Sequence, residues 1–355
     1  MIIHQVVNDY SQKSGGAERL ARAIHVDLLR AGYEAALIGL IKQPDRHLKG
    51  ALSCGLSSPY SLQAFFFLWS YCLKHIRPDD LVHVHLFPST LYMALLKKMG
   101  ICKASLVTTE HNTYNRRMGI WYGRYLDTFV YSAYTRIIAI SEGTQEALSQ
   151  WLPNISPKLQ VINNGARMAF QDYTTRPNPK VVQLVTTARL HPQKNHDTAL
   201  YALSKLPKEL NFRWLIAGQG EEYYRLKELV VSLKLESKVR FLGQVEEVDK
   251  LLAEADIFLL PSRWEGFGLS VVEAMNASLP IVAGDVPGLR ELVKGPRPTG
   301  LLVQPQEPDS IAQAIEQLIQ SPQLRSELGK NGFMRSFKYC ESQMLRQYRM
   351  MYNSF

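Results

Sequence analysis

Cysteine is scarce in this 355-residue chain: Cys54, Cys72, Cys102 and Cys340 are all there is. Their spacing fits no zinc or redox motif, and so low a density does not suit a disulfide framework; a reducing compartment is the simpler reading. Long apolar runs are also missing. The most apolar stretch, Ala64-Phe65-Phe66-Phe67-Leu68-Trp69, is six residues long, against roughly 20 needed to cross a bilayer. A soluble or peripheral protein is expected. The opening Met1-Ile2-Ile3-His4-Gln5-Val6-Val7 has no basic stretch ahead of an apolar region, so it reads as a first strand and not as a signal peptide. Low-complexity segments and internal repeats are absent. With 46% hydrophobic and 21% charged residues, the composition is that of a globular protein and excludes global disorder or a collagen-like repeat.

Acidic residues are in deficit: 32 against 41 basic ones, a net charge of +9. The deficit sits in one half. Residues 1–170 hold 18 basic and 11 acidic side chains, whereas residues 171–355 hold 23 and 21. A surplus of +7 in the first half suggests a polyanionic or membrane partner there. Basicity alone would also admit a nucleic-acid-binding protein. No binding motif supports that, and the basic residues are spread over several helices and loops, so no nucleic acid is expected.

At roughly 100–200 residues per domain, the length implies two domains. Short Val/Ile/Leu runs alternate with helical patterns. In the first half the runs are Ile2–Val7, Ala35–Leu40, Leu81–Leu86, Ser105–Thr109 and Arg136–Ile140. In the second they are Val181–Thr187, Phe212–Ala217, Val239–Leu242, Asp256–Leu260, Ile281–Ala283 and Leu301–Val303. Near-continuous apolar runs suit parallel strands buried on both faces. Leu20, Ile24, Leu28 and Ala31 mark a helix that Gly32 ends, and Ile311, Ala314, Ile315, Leu318 and Ile319 form another helical face. The fold class is therefore α/β, with two doubly wound domains facing across a cleft. The polar, proline-bearing segment Gln171–Pro179 reads as the linker. This gives an N-terminal domain over 1–170 and a C-terminal domain over 171–336. A last helical pattern carrying Phe333, Phe337, Leu345, Tyr348 and Tyr352 is expected to return residues 337–355 to the first domain.

Three segments carry chemistry. Ser14-Gly15-Gly16-Ala17-Glu18-Arg19 follows the first strand and opens a helix; it is either a structural turn or a place where free helix N–H groups meet an anion. It lacks the spacing of nicotinamide-binding domains. Arg189 and Lys194 lie five apart after the first strand of the second half. They are either two solvated charges or a clamp on a diphosphate at a strand's carboxyl end. The string Glu265-Gly266-Phe267-Gly268-Leu269-Ser270-Val271-Val272-Glu273 places a glycine-bearing turn and a helix start between two carboxylates. Its backbone N–H groups suit phosphate, and Glu273, near the first turn of that helix, suits sugar hydroxyls. Helix-dipole preference alone would explain one such Glu. His83 and His85 stand two apart on one strand face. That is too little for a metal site, and His85 is expected near the cleft.

At this point the sequence resembles the retaining GT-B glycosyltransferases of the E-x7-E type, the glycosyltransferase family 4-like enzymes of bacterial polysaccharide and lipopolysaccharide synthesis. The resemblance rests on Glu265 to Glu273, Gly15-Gly16-Ala17-Glu18-Arg19, Glu110-His111-Asn112, Ile140-Ser141-Glu142-Gly143, Val161-Ile162-Asn163-Asn164-Gly165, the Arg189/Lys194 loop and Gly218-Gln219-Gly220-Glu221. It runs in order from residue 15 to about 303. After Gly165 this chain has Ala166-Arg167, where many members carry Ile or Val and then Asp. The resemblance implies two Rossmann-like domains, with the donor in the C-terminal one and the acceptor in the N-terminal one. It implies that Arg189 and Lys194 bind the donor diphosphate and that Glu273 contacts the ribose. Glu265, Gly266, Phe267, Gly268 and Leu269 would lie near the donor sugar and phosphates, with Gly218 also in the donor site. Gly15 and Gly16 would approach the phosphates from the other domain, and His111 would sit beside the transferred sugar. His111, Glu265, Arg189 and Lys194 are thus the expected catalytic set.

The implied reaction moves a hexose-type sugar, with retention, from a nucleotide diphosphate sugar to a glycan or lipid-linked saccharide. A UDP-sugar is favoured and a GDP-sugar is possible. Cationic side chains would replace a metal, and there is no D-x-D pair of the metal-holding kind. No cofactor is expected. A sugar epimerase or phosphorylase on the same fold is the alternative, against which the E-x7-E string argues. Two stretches are weighed as contacts with an anionic membrane: the aromatic helix Phe65–Arg77, which reads first as core, and Asn115–Tyr125, which mixes arginine with tryptophan and tyrosine. The expected location is the cytoplasm, peripheral to the inner face of the plasma membrane.

Overall fold

The computed structural model describes residues 1–11, 15–41, 48–174 and 178–355. Ser14 and part of the expected linker, residues 175–177, lie outside them. The chain divides into two compact units, Met1–Asn163 with Met344–Phe355, and Asn164–Gln343.

The strands of the first unit are β1 (Ile3–Val7), β2 (Ala35–Ile41), β3 (Ala51–Leu56), β4 (Leu81–His85), β5 (Ser105–Glu110), β6 (Arg136–Ala139) and β7 (Leu159–Val161). All pair in parallel, in the order β3-β2-β1-β4-β5-β6-β7. Its helices are α1 (Gly16–Arg30), α2 (Leu62–His75), α3 (Ser89–Lys98), α4 (Gly123–Ser132) and α5 (Glu142–Trp151). Strands alternate their faces, and the core follows that period. Val6, Val82, Val84 and Leu106 pack with residues of α2 to α5, while Ile3, Leu81 and Val107 pack with Leu20, Ile24 and Leu28 of α1. Helix α1 ends as its sequence requires. Gly32 takes φ +84°, the N–H of Tyr33 donates to the carbonyl of Leu28, and that of Gly32 donates to Leu29, a Schellman motif.

The second unit contains β8 (Val182–Thr187), β9 (Phe212–Ala217), β10 (Val239–Gly243), β11 (Ile257–Leu260), β12 (Ile281–Gly284) and β13 (Gly300–Val303). Again all are parallel, in the order β10-β9-β8-β11-β12-β13. Its helices are α6 (His196–Ser204), α7 (Tyr223–Ser232), α8 (Val248–Glu254), α9 (Leu269–Asn276), α10 (Pro287–Val293), α11 (Pro308–Gln320) and α12 (Pro322–Ser336). The last helix, α13 (Glu341–Tyr352), belongs to the first unit from Met344 onward. Numbered within the unit, the strand order is 3-2-1-4-5-6, that of a dinucleotide-binding fold. Leu184, Leu259 and Val282 form one core face with residues of α6, α7 and α11, including the expected Ile311, Ala314, Ile315 and Leu318.

Two strands had no apolar signature. β3, Ala-Leu-Ser-Cys-Gly-Leu, and β7, three residues long, are the two edges of the first sheet. An edge strand is covered less completely, so it does not need a continuous apolar run. The units divide at Asn163, ahead of the expected position at residue 170. Ala166 bridges in parallel to Cys340, and the N–H of Phe170 donates to Asn276 Oδ1 at 2.9 Å, which ties 165–170 to the second unit. The final helical pattern is also split. Phe333 belongs to α12 and packs edge-on to Phe337, a 3-10 turn covers Phe337–Tyr339, and only Met344 onward joins the first unit. There Met344, Tyr348, Met351 and Tyr352 are buried with Ile3, Leu81 and Val107. The four cysteines form no disulfide. Among the described residues no helix is long and apolar enough to cross a membrane.

Gly300 illustrates how tightly the second sheet is built: a Cβ there would lie 2.0 Å from the Ile281 carbonyl oxygen. Gly300→Ala should cost about 1–3 kcal/mol, the usual range for an overpacked core. A thermal melt with an unchanged midpoint would contradict that.

Candidate active site

In a doubly wound sheet, ligands gather at the carboxyl ends of the strands where the strand order reverses. In the second unit that point lies between β8 and β11. The loop after β8 carries Arg189 and Lys194, and the loop after β11 carries Glu265 to Gly268. The two loops are zipped together. The N–H of Arg263 donates to the Gln193 carbonyl at 2.8 Å, and Gln193 Nε2 donates to the Trp264 carbonyl at 2.8 Å. Lys194 and Glu265 then meet in an ion pair, and Glu265 Oε1 also accepts from Ser262 Oγ at 3.0 Å. Glu265 is buried, whereas Arg189 is exposed with no protein partner among the described residues. Two of the four expected catalytic residues are thus in contact, and a third stands on the same loop.

Asn195 organises this region and had not been singled out. It sits at φ +62°, a left-handed conformation that Asn tolerates better than most residues. Its buried Nδ2 donates to the Pro261 carbonyl at 2.9 Å and to the Pro305 carbonyl at 2.6 Å. Its Oδ1 accepts from Thr198 Oγ1 at 2.7 Å and Arg263 Nε at 2.8 Å. One side chain therefore joins the loops that follow β8, β11 and β13. The sequence offered one weak signal, a polar residue directly after Lys194 at a helix start.

Gly268 stands at φ +96° as the N-cap of α9 and so offers no capping side chain. Gly15 caps α1 in the same way. By contrast Ser61, Ser141 and Ser321 cap α2, α5 and α12 with their hydroxyls. A glycine at such a position leaves helix N–H groups for another acceptor. At α1 the Glu18 carboxylate lies over the N-cap, its Oε2 2.8 Å from where a Gly15 Cβ would stand. Gly16 faces open space. Phe267 is buried edge-on against Tyr339, so only its backbone faces the loop. Gly266 and the Glu265 carbonyl are backed by Gly288, where a Cβ would come within 2.4 Å of that oxygen. Gly218 is at φ +149° with its virtual Cβ 1.8 Å from the Ala188 carbonyl; close packing onto the Arg189 loop by itself requires glycine there. Glu273 is the fifth residue of α9, directly after the first turn that Gly268 opens, and is half-buried.

In the first unit the order reverses between β1 and β4. There His83, His85 and His111 form a chain. His83 Nδ1 lies 2.6 Å from the Tyr352 hydroxyl and its Nε2 lies 2.7 Å from Thr109 Oγ1. His85 Nε2 is 2.8 Å from Gln5 Oε1, and its Nδ1 is 3.5 Å from His111 Nε2. The pair spaced like metal ligands is therefore fully occupied by hydrogen bonds, and His85 is completely buried. The backbone around His111 is held separately: its N–H and that of Asn112 donate to Glu110 Oε1 at 3.0 and 3.2 Å, while Tyr131 donates to Glu110 Oε2 at 2.5 Å. Burial raises the Glu110 pKa, against the opposing pull of Tyr131 and Arg117. Burial pushes His83 and His111 down to about 3 and lowers His85 well below its ordinary value.

Residues 14–169 match the model of "Glycosyltransferase Family 4" and residues 170–335 that of "Glycosyl transferases group 1". The chain belongs to the family 4-like glycosyltransferases. It is 29% identical over 263 residues to an uncharacterized glycosyltransferase of Methanocaldococcus jannaschii, a match covering 68% of this chain and 66% of that relative's length. It is 23% identical to the amylovoran biosynthesis glycosyltransferase AmsD of Erwinia amylovora, over 98% of this chain and 99% of the other. The structure of Anabaena HepE in complex with UDP-glucose superposes with a TM-score of 0.82 at 21% identity, covering both chains in full. The fold of this glycosyltransferase is thus GT-B, with two Rossmann-like parallel-sheet domains.

The neutral, buried histidines make a pH prediction. His83 and His85 stay unprotonated in the folded enzyme, whereas the unfolded chain protonates them near 6.5. Between these values the unfolded state binds more protons, so stability is full above pH 6.5 and is lost as pH falls. The loss is about 1.4 kcal/mol per pH unit for each histidine. Melting temperature should drop between pH 7.5 and 5, and His83→Gln should make that slope shallower. An unchanged slope would count against it.

Proposed function

We propose that the enzyme transfers a hexose-type sugar, with retention and without a metal, from a nucleotide diphosphate sugar to a glycan or lipid-linked saccharide in surface-polysaccharide synthesis. A UDP-sugar is the favoured donor. One observation carries the reading: Lys194, Arg189, the Glu265–Gly268 loop and the uncapped start of α9 share the reversal point of a dinucleotide-type sheet. UDP-glucose bound to HepE and the polysaccharide role in the name of AmsD support it.

Transfer breaks the bond between the anomeric carbon and a phosphate oxygen, and negative charge gathers on the departing diphosphate. Lys194, Arg189 and the α9 N–H groups stabilise that charge. Glu273 receives the ribose hydroxyls. In the first unit, Gly15 and Gly16 let α1 approach a phosphate, and His111 faces the transferred sugar. With no carboxylate assigned as nucleophile, the acceptor attacks from the face the diphosphate leaves, and the departing phosphate oxygen takes the acceptor's proton. In this reading Glu265, paired with Lys194, is a placeholder for the donor anion and a buried anchor for the lysine.

A panel of nucleotide sugars, scored by melting temperature, should give its largest upward shift with one nucleotide class, a UDP-sugar on this reading. With that donor, Lys194→Ala should lower turnover by about 10²–10³, the range for losing one charge-stabilising donor, and Glu273→Ala should remove most transfer through lost donor binding, while the fold is kept in both. Near-wild-type turnover in both would remove the assignment.

The acceptor side is proposed to be peripheral to an anionic inner leaflet. Exposed Trp121, Tyr122, Tyr125 and Phe129 lie beside exposed Arg116 and Arg124, and Leu62, Phe66 and Leu73 are exposed on α2. Aromatic and basic residues together suit a headgroup layer. The protein should float with vesicles rich in anionic lipid at low salt, and Trp121→Ala combined with Arg124→Ala should weaken that binding. Equal flotation with zwitterionic vesicles would contradict the charge component.

A further inference from the structure

The hydrogen-bonded chain in the first unit has a direction. Gln5, His83, His85 and Thr109 share one face of the central strands: Gln5 is in register with His83, and His85 with Thr109. Over that face lie Tyr348 and Tyr352 of α13, four residues apart and buried. Gln5 is the pivot. Its Nε2 donates to the Tyr352 hydroxyl oxygen at 2.8 Å, and its Oε1 faces His85 Nε2 at 2.8 Å.

An amide oxygen only accepts and an amide nitrogen only donates. His85 must therefore carry its proton on Nε2 to donate to Gln5. The buried Tyr352 hydroxyl proton needs an acceptor, and among the described residues His83 Nδ1, at 2.6 Å, is the one within reach. His83 in turn bears its proton on Nε2 and donates to Thr109. The rings are neutral, each with a single proton, so His85 Nδ1 is a lone pair facing His111 Nε2. For that 3.5 Å contact to be attractive, His111 must hold its proton on Nε2. Its Nδ1 is then a lone pair, able to accept from a hydroxyl. Meanwhile the Glu110 carboxylate fixes the backbone of His111 and Asn112. The histidine is oriented from both sides, its backbone by one buried network and its ring by another.

We infer that Tyr352, Gln5 and His85 are positioning residues that fix which ring nitrogen of His111 carries the proton, so that the C-terminal helix takes part in the reaction through a hydrogen-bonded relay as well as in the core. This rests on the proposal that His111 faces the transferred sugar. Tyr348 serves as the internal comparison. It lies on the same helix and is equally buried, but its hydroxyl reaches only Thr109, at 3.4 Å, on the far side of His83. Packing alone would make the two tyrosines equivalent, whereas the relay makes them different.

The test combines turnover with nitrogen NMR on the full chain. Selective ¹⁵N-histidine labelling, with the nine histidines assigned by single His→Gln variants, reads tautomers directly and needs no donor. In the wild type, His85 and His111 should both be protonated on Nε2. Tyr352→Phe should turn His111 into a tautomer mixture and lower kcat about tenfold, the lower end for losing a partner that orients a functional histidine, with donor KM within about twofold. Tyr348→Phe should change neither. Should Tyr352→Phe fail to fold, Gln5→Met interrupts the same relay at the opposite end of the bond and gives the same pair of changes. Three results would overturn the inference: an Nδ1-protonated His85 in the wild type, a His111 tautomer that ignores Tyr352→Phe or Gln5→Met, or equal effects of the two tyrosine variants. If His111→Ala instead leaves turnover intact, the sugar-facing reading of His111 fails, and the tautomer spectra still decide the relay.

Discussion

Parallel pairing is the constraint from which the candidate sites follow. When every strand points the same way, all the loops at one edge of a sheet are fed by carboxyl ends, and the two central loops diverge where the winding reverses. Residues far apart in sequence then become neighbours without any loop having to reach. Lys194 and Glu265 are 71 residues apart and still form an ion pair, because β8 and β11 run side by side in register. The same geometry in the first unit places Gln5, His83, His85 and Thr109 on one face. The local chemistry of each loop then needs only short-range devices: a left-handed Asn195, a glycine N-cap at α9, a glycine wherever two backbones touch.

The interior of the fold was legible because burial on both faces imposes a continuous apolar run, and all eleven runs expected from the sequence, from Ile2–Val7 to Leu301–Val303, are strands. What burial does not impose left no such trace. The edge strands β3 and β7 are built from small, polar or very few residues. The left-handed turn at Gly268 was not legible, because nothing in Gly266-Phe267-Gly268 tells which glycine takes a positive φ; the contact with Leu289 and Leu292 that surrounds Gly268 comes from α10, in a later segment. Asn195 was missed for a similar reason. Its four hydrogen bonds reach residues 3 to 110 positions away, and a lone asparagine announces none of them. The division between units depends on Gly165 and Ala166 lying against Cys340 and Glu341, a pairing that neither segment encodes alone.

The charge imbalance of the first half has two structural destinations. Some cations are held internally: Arg117 pairs with the buried Asp127 at 2.5 Å, and Lys97 and Lys158 donate to the carbonyls of Ala104 and Tyr134 at 2.7 and 2.9 Å. Others, including Arg116 and Arg124, remain exposed beside aromatic rings. Only the exposed group can act at a distance, since a paired cation is screened by its own partner. Under the proposed membrane contact, the surplus would matter where it is concentrated with exposed apolar rings, which suit a headgroup layer that simple charge would only approach.

The second unit shows the opposite treatment of charge. Lys194 is neutralised by Glu265, and Glu265 is itself held by Ser262. On the proposed reading, a diphosphate arriving at this lysine would not meet a bare cation; it would take the place of a carboxylate. Its affinity is then a difference between two ion pairs, and removing Glu265 acts in two ways. It frees Lys194 for any anion and leaves a cavity beside Ser262. Arg189, exposed and without such a partner, carries no comparable cost of exchange. On the proposed donor assignment the two cations of one loop do different work: Arg189 would attract anions generally, while Lys194 would yield only to a ligand that competes with a buried, hydrogen-bonded carboxylate. Discrimination between a nucleotide sugar and free phosphate would then follow from that pairing, because only a ligand with further contacts along the loop and at Glu273 would recover what the broken ion pair costs.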